Sequence, residues 1–260
     1  MRLTNKVGAR RGLSWIAGSW SLLRRDGLLW MAMTSIYMLI AVGLKMIPFI
    51  GVLVLVLISP ILLAGVLDTA HDLEAPPAAP QDEGDQPRPN FMKRAVHRLF
   101  GAFSHQEEVL PIMVISTLTL GAVVVIQILA QLLKVGGPAL SAMLAGSVGP
   151  AVWLPAMLSL FVVLVLQIIL GMAIFYAVPL VLFKKEPPLA AMEKSFRACL
   201  DNAAALAIFA IPFAIANTAA DLLYFDLDFP KDYLVLFVLG FVTLPFFVGG
   251  LYRSYEDAFG

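Results

Sequence analysis

One cysteine, Cys199, and three histidines are all this 260-residue chain offers of the side chains that most often hold metals. A single cysteine excludes an intrachain disulfide and a cysteine-based zinc site. His71, His97 and His105 share one stretch, but no HExxH is present. His97 and His105 are two helical turns apart, too far to share one metal. No GxSxG elbow occurs. The glycines Gly136, Gly137, Gly146 and Gly149 lack the GKS or GKT of a phosphate loop. No metal and no cofactor are expected. Charge is scarce too: 14% of residues, against about 25% in soluble domains. Its two signs balance, 18 basic and 18 acidic, which argues against a nucleic-acid partner. The start is not that of a cleaved signal: a polar or amphipathic segment of 27 residues precedes a long apolar run without a small-x-small site.

What the chain has instead is apolar length. Sixty per cent of it is hydrophobic, against about 45–50% in soluble proteins. The excess falls in blocks at 28–45, 48–67, 109–133, 153–183, 203–223 and 233–252. Each is near the ~20 residues that cross a bilayer as a helix. The expected fold is all-α: a polytopic membrane helical bundle with six transmembrane helices. Pro48 and Gly51 break the first two apart in a tight hairpin. The fourth block is longer than a bilayer requires and must tilt or begin at the interface.

Charge tests this count. With both termini cytoplasmic, fifteen of the eighteen Lys and Arg residues fall on the cytoplasmic side, and only Lys45, Lys134 and Lys231 fall outside. That asymmetry is the positive-inside pattern. Five spans would scramble it.

Each segment before an odd-numbered span is amphipathic. Leu13, Ile16, Trp20 and Leu23 recur at helical spacing, flanked by Arg10, Arg11, Arg24 and Arg25. Met92, Ala95, Val96, Leu99, Phe100 and Phe103 oppose Lys93, Arg94, His97 and Arg98. Leu189, Met192, Phe196, Cys199 and Leu200 oppose Glu193, Lys194 and Arg197. Basic helices of this kind lie in the headgroup plane, so Arg24, Arg25, Lys93, Arg94, Arg98, Lys194 and Arg197 are expected to face lipid headgroups. Trp20, Phe100 and Phe196 each stand six residues before Asp26, Gln106 and Asn202. The chain therefore reads as three hairpin repeats, each an interfacial helix, an outward span and an inward span: 10–68, 91–185 and 187–256. Pro60, Pro179 and Pro245 stand in the three inward spans and are expected to kink them. The repeated kink suggests that each inward span turns back onto the next interfacial helix; chance is the alternative, since proline is common in membrane helices.

The segments "ARRGLSWIAGSWSLLRRDGLLW", "IPFIGVLVLVLISPILLAG", "SFRACLDNAAAL" and "YRSYEDAFG" carry a further likeness. With them the chain resembles a family of proteobacterial six-helix inner-membrane proteins, and it is YciC-like in plan. The likeness runs from about Arg10 to Gly260 and weakens in 69–90 and 134–152. It implies a six-span topology and a bacterial inner membrane, and it assigns no catalytic residue.

Two features remain. Residues 69–90 hold five prolines and frequent acids, so this cytoplasmic linker is expected to be disordered. It is either slack between repeats or a docking segment for a soluble partner. Within the spans, Gln127 and Gln131 share a helix face, Gln167 lies in the fourth span, and Asn217, Thr218 and Asp221 lie late in the fifth. Polar groups in hydrocarbon tend to face the bundle interior. They form either a polar seam through spans 3–5 for an ion or solute, or interhelical glue worth roughly 0.6 kcal/mol per hydrogen bond. Asp221 stands near the outer end, beside Asp226 and Asp228. Mid-bilayer charge is absent, which weighs against transport. Glu193 and Asp201 are too far apart to support a lipid-modifying enzyme. The expected role is non-enzymatic: a membrane scaffold or accessory subunit contacting lipids, with a protein partner or a second copy. A transporter or channel for a small or lipid-like solute is the alternative.

Overall fold

The computed structural model describes residues 5–74, 90–104, 106–133, 145–146, 150–224 and 231–260; nothing is stated for the side chains of 104, 106, 108, 150–154, 220–224 and 231–232. These residues form helices and no strands. In chain order they are α1 (Arg11–Arg25), α2 (Gly27–Lys45), α3 (Ile50–Glu74), α4 (Phe91–Phe100) with a 3-10 turn over Gly101–Ser104, and α5 (Gln106–Leu132). There follow α6 (Pro150–Phe175), α7 (Ala177–Lys184), α8 (Pro188–Asp201), α9 (Ala203–Tyr224) and α10 (Lys231–Phe259). Five stretches are long and apolar enough to cross a membrane: α2, α3, α5, the α6–α7 pair and α10. A sixth arises if α8 and α9, bent by 92° at Asn202, count as one.

Local chemistry sets the boundaries. Asp26 ends α1 and caps α2, its carboxylate accepting the Leu29 N–H at 3.1 Å. Asn90 caps α4 through the Met92 N–H at 3.3 Å. Pro187 and Pro188 open α8, where a missing N–H costs nothing. Residues 46–49 turn α2 into α3, with Phe49 at φ +60°, so the hairpin expected at Pro48 and Gly51 is present. Asn202 is buried in the elbow between α8 and α9. It accepts the Val7 N–H at 2.8 Å and donates to the carbonyls of Asn5 and Ala198, both at 3.1 Å.

Three helix crossings organise the core. Helix α3 crosses α4 at Gly65, where a Cβ would come within 2.5 Å of the Leu99 carbonyl oxygen. Helix α10 crosses α1 at Gly249, where a Cβ would lie 2.9 Å from the Ser19 Cβ. There the Ser19 hydroxyl lies 2.9 Å from both the Trp15 and the Phe246 carbonyls. The α6–α7 pair crosses α8 at Ser195. The Tyr176 N–H donates to Ser195 Oγ at 2.8 Å, and the Ser195 hydroxyl donates to the Met172 carbonyl at 2.7 Å. A side-chain hydroxyl thus occupies the place of one i→i−4 bond, a recognised cause of a helix break. Ser19, Leu99 and Ser195 are fully buried, and each stands one residue before Trp20, Phe100 or Phe196.

Pro60 and Pro245 lie inside continuous helices. Pro179 is the third residue of α7, and the helix is broken three residues earlier at Tyr176, where the proline ring crowds the carbonyl of residue i−4, Phe175, and Ser195 holds the Tyr176 N–H. Pro111 and Pro212 stand inside α5 and α9, so proline does not distinguish the inward spans. The segment 69–90, expected to lack structure, begins as helix: α3 continues to Glu74, with Thr69 and Ala70 buried and the Thr69 hydroxyl donating to the Gly65 carbonyl at 2.9 Å. Contacts with α4 and α10 order this stretch. The rest of the linker, 75–89, lies outside the described residues, as does most of the Gly136–Gly149 segment.

Packing is concentrated at one end. The main buried cluster takes in Ile61–Ala70 of α3, Ala177–Leu182 of α7 and Val248–Phe259 of α10. A second joins Trp15, Ala205 and Phe209, with Phe175 and Phe247 against it. By contrast, Leu158, Phe161 and Leu164 of α6 and Ile211 and Ile215 of α9 are exposed. Ser195→Ala is expected to lower the unfolding free energy by about 1–3 kcal/mol, since the Tyr176 N–H and the Met172 carbonyl lose their shared partner. Tryptophan-monitored unfolding in detergent measures this. A loss under about 0.5 kcal/mol would mean that α6 re-forms its own bond and that Ser195 does not hold the break.

Candidate functional site

The ends of α1, α3 and α10 meet in a charged collar. The apolar run of α3 stops at Leu67, and Asp68–Glu74 carry the helix beyond it. Arg253 of α10 pairs with Glu74 and lies 3.5 Å from Glu256. Arg25 of α1 donates to the Leu73 carbonyl. Tyr252 donates its hydroxyl to Glu256 Oε1 at 2.9 Å, and His71 Nδ1 lies 3.0 Å from the Tyr252 hydroxyl oxygen. Phe183 packs against His71 with ring centroids 5.0 Å apart and the rings tilted by 40°.

Burial is the main force raising the Glu74 carboxyl to about 7, and a hydrogen bond to Glu256 and that group's charge add to it; Arg253 and Arg25 oppose. Glu74 can therefore hold a proton near neutral pH. Asp257 shows the opposite effect. Arg11 grips it with two bonds of 2.7 and 2.9 Å, and Trp15 Nε1 adds a third at 2.7 Å. These donors, Arg11 first, hold the Asp257 carboxyl below its ordinary value.

Most of the basic residues expected to face headgroups are engaged in ties between or along helices. Arg94 reaches Asp26 at 3.1 Å, joining α4 to the α1–α2 elbow. Arg98 pairs with Asp72 and lies 3.9 Å from Asp68. Lys194 pairs with Glu186, and Arg197 with Glu193. Arg24 lies 4.9 Å over the Trp20 ring. Lys93 is exposed.

The intramembrane polar residues separate into groups. Gln127 and Gln131 line an otherwise apolar groove of about 650 Å³ between α3 and α5. Gln127 also meets Gln167 in a cleft of about 160 Å³ between α5 and α6, beside Thr119. The Thr119 hydroxyl is buried with no hydrogen-bond partner among the described residues. Asn217 stands apart, exposed on α9 and donating to its own helix at the Phe213 carbonyl, 3.0 Å. Helix α9 packs chiefly on α1 and α10. The Asp221 side chain lies outside the described side chains, and so do Asp226 and Asp228.

Sequence reasoning did not find the collar. His71 entered there only as a potential metal ligand without partners, and Glu74, Arg253, Glu256 and Asp257 were assigned no site role. The one available signal was the closing "YRSYEDAFG", which supplies Tyr252, Arg253, Glu256 and Asp257 together. Thr119 gave none, since a threonine among apolar residues is ordinary. Among the described residues no three potential ligands gather to hold a metal. Comparison with known protein families, curated proteins and solved structures returns no match.

Glu74 supplies a pH test. Its folded pKa of about 7 lies above the ordinary 4.5, so the folded state binds the extra proton between those values. Its contribution is complete below pH 4.5 and is lost as pH rises through 7. The unfolding midpoint of the natural protein, taken relative to Glu74→Gln, is expected to fall across that window. A pH-independent difference would contradict the shift.

Proposed function

We propose that this chain is a non-enzymatic integral membrane scaffold or accessory subunit of a bacterial inner membrane. On this reading α9 is a sixth span, both termini are cytoplasmic, and α1, α4 and α8 are amphipathic helices opening three hairpin repeats. Membrane lipids are its surroundings, and a protein or a second copy of the chain is its partner. One observation carries the reading. The charged and hydroxyl side chains at the packed end are spent on joining helices: Arg11 to Asp257, Arg94 to Asp26, Arg253 to Glu74, Ser195 to Met172. Such ties make a rigid platform and leave little for chemistry on a substrate. The three crossings at Ser19, Leu99 and Ser195 support the repeat.

A transporter or channel is the second reading. The α5–α6 cleft favours it, because Thr119, Gln127 and Gln167 bring three uncharged polar groups together at span depth. Cysteine accessibility separates the two. In a Cys199→Ser background, single cysteines replace Gln127, Gln131, Gln167 and Asn217, with Ala145 as an exposed control, and a membrane-impermeant thiol reagent is applied to native membranes. The scaffold predicts labelling at the control alone. Labelling at several span positions, together with solute flux in liposomes, would replace the scaffold by a transporter. A cytoplasmic reporter fused after Gly260 is expected to be active; activity of a periplasmic reporter there would overturn the orientation.

A further inference from the structure

The outer face of α5 carries a ridge and a groove side by side. Leu118, Gly121, Val125, Ile128 and Leu132 are exposed and follow one another at i+3 and i+4, so they form one ridge along the helix. The groove of about 650 Å³ lies against it, floored by Val52 and Val56 of α3 and by Leu120 and Val123 of α5. Ile128 and Leu132 belong to both, so the ridge is one wall of the groove. Gln127 and Gln131 open into the groove, exposed and one helical turn apart. Neither amide has a hydrogen-bond partner among the described residues. Gln127 lies more than a turn inside the end of α5 at Leu132. In hydrocarbon an unpaired amide is costly.

We propose that a second copy of this chain docks here, through a two-fold interface in which α5 of each copy enters the α3–α5 groove of the other. This rests on the scaffold reading above, with α3 and α5 as spans, and it names the surface that takes the partner.

Shape and chemistry both select a second copy. A two-fold interface uses one patch that must be its own complement. A ridge beside a groove meets that condition in shape, because each copy offers what the other receives. The amides meet it in chemistry. A carboxamide has two N–H donors and a carbonyl acceptor, so glutamines related by a two-fold axis can donate to each other. No charged residue lines the groove, so a partner span carrying a charge would find no counterion. A lipid acyl chain would fill the groove and leave both amides unpaired. Gly121 bares the backbone within the ridge, and small residues let membrane helices approach closely.

The test is oxidative cross-linking of the full-length chain in native membranes. In a Cys199→Ser background, single cysteines replace Val125, Ile128 or Leu132, with Ile215 of α9 as an exposed control outside the patch. A membrane-permeant oxidant is expected to link at least one ridge variant into a species of two chains, each of 28.2 kDa, and to leave Ile215→Cys as single chains. Gln127→Leu and Gln131→Leu are then added to the variant that links. At low expression, where the dimer is not saturated, they are expected to lower the linked fraction about 10-fold, the worth of two or more ordinary interhelical hydrogen bonds. Leucine is a good helix former, and both positions are exposed, so the amount of chain in the membrane should not change. No link at any ridge position, equal linking from Ile215→Cys, or a linked fraction indifferent to the glutamines overturns the proposal. A photo-cross-linker at position 128 that captures lipid or a different protein, and no second copy, overturns it as well and leaves the scaffold reading standing. Failure of the scaffold reading shows instead as thiol labelling within the spans and solute flux, so the two failures are distinguishable.

Discussion

The Ser195 hydroxyl stands between the Tyr176 N–H and the Met172 carbonyl, and much of the architecture follows from such close crossings. In lipid, a helix cannot break unless something in the protein satisfies the freed backbone groups. Pro179 removes one N–H from the ladder and Ser195 captures another. The break at Tyr176 is therefore stable only where α8 lies against the α6–α7 pair. At Gly65 and Gly249 the same closeness is reached differently, by removing a side chain. In each case a long apolar helix meets a short polar one nearly backbone to backbone.

This explains why burial is so uneven. Between apolar helices in lipid there is little hydrophobic reason to pack, because lipid tails are as apolar as leucine. Close packing requires small residues, hydroxyls or charge pairs. Those lie at the charged end: Ser19, Gly65, Ser195, Gly249 and the Arg11–Asp257 and Arg253–Glu74 pairs. The far halves of α6 and α9 offer Leu158, Phe161, Leu164, Ile211 and Ile215 instead, and these remain exposed. The charged end is closely packed, and the far halves of α6 and α9 leave their large apolar side chains exposed.

Features set by local chain chemistry were legible from the sequence. The Pro48–Gly51 hairpin is local. So are the elbows at Asp26 and Asn202, because a polar residue between an amphipathic and an apolar helix reads directly as a cap or a bend. The register of Trp20, Phe100 and Phe196 was read as a repeat, and the crossings at Ser19, Leu99 and Ser195 fall one residue before each, which the sequence alone did not indicate. Long-range charge pairs were not legible. Arg253 and Glu74 are far apart in sequence, and no period links them. Helix α3 ran on past Leu67 because Asp72 finds Arg98 and His71 finds Tyr252, partners that composition cannot supply. The break before Pro179 falls where a proline would put it, but Ser195, which satisfies the Tyr176 N–H there, belongs to another helix. The intramembrane glutamines were found, but adjacency in helix number did not put Asn217 beside them, since α9 packs on α1 and α10.

The first helix closes against the last. The Asn5 N–H donates to the Ala258 carbonyl at 2.9 Å, and Asn202 and Asp257 fasten the same region. The decisive measurement is oxidative cross-linking in native membranes of a Cys199→Ser chain carrying Asn5→Cys and Ala258→Cys. Paired cysteines need Cα atoms about 4.4–6.8 Å apart. Rapid formation of an intrachain disulfide, with none in a control pairing Asn5→Cys with Gly121→Cys, is the predicted result. Links formed only between chains, or at the rate of the control, would contradict the closure of α1 on α10.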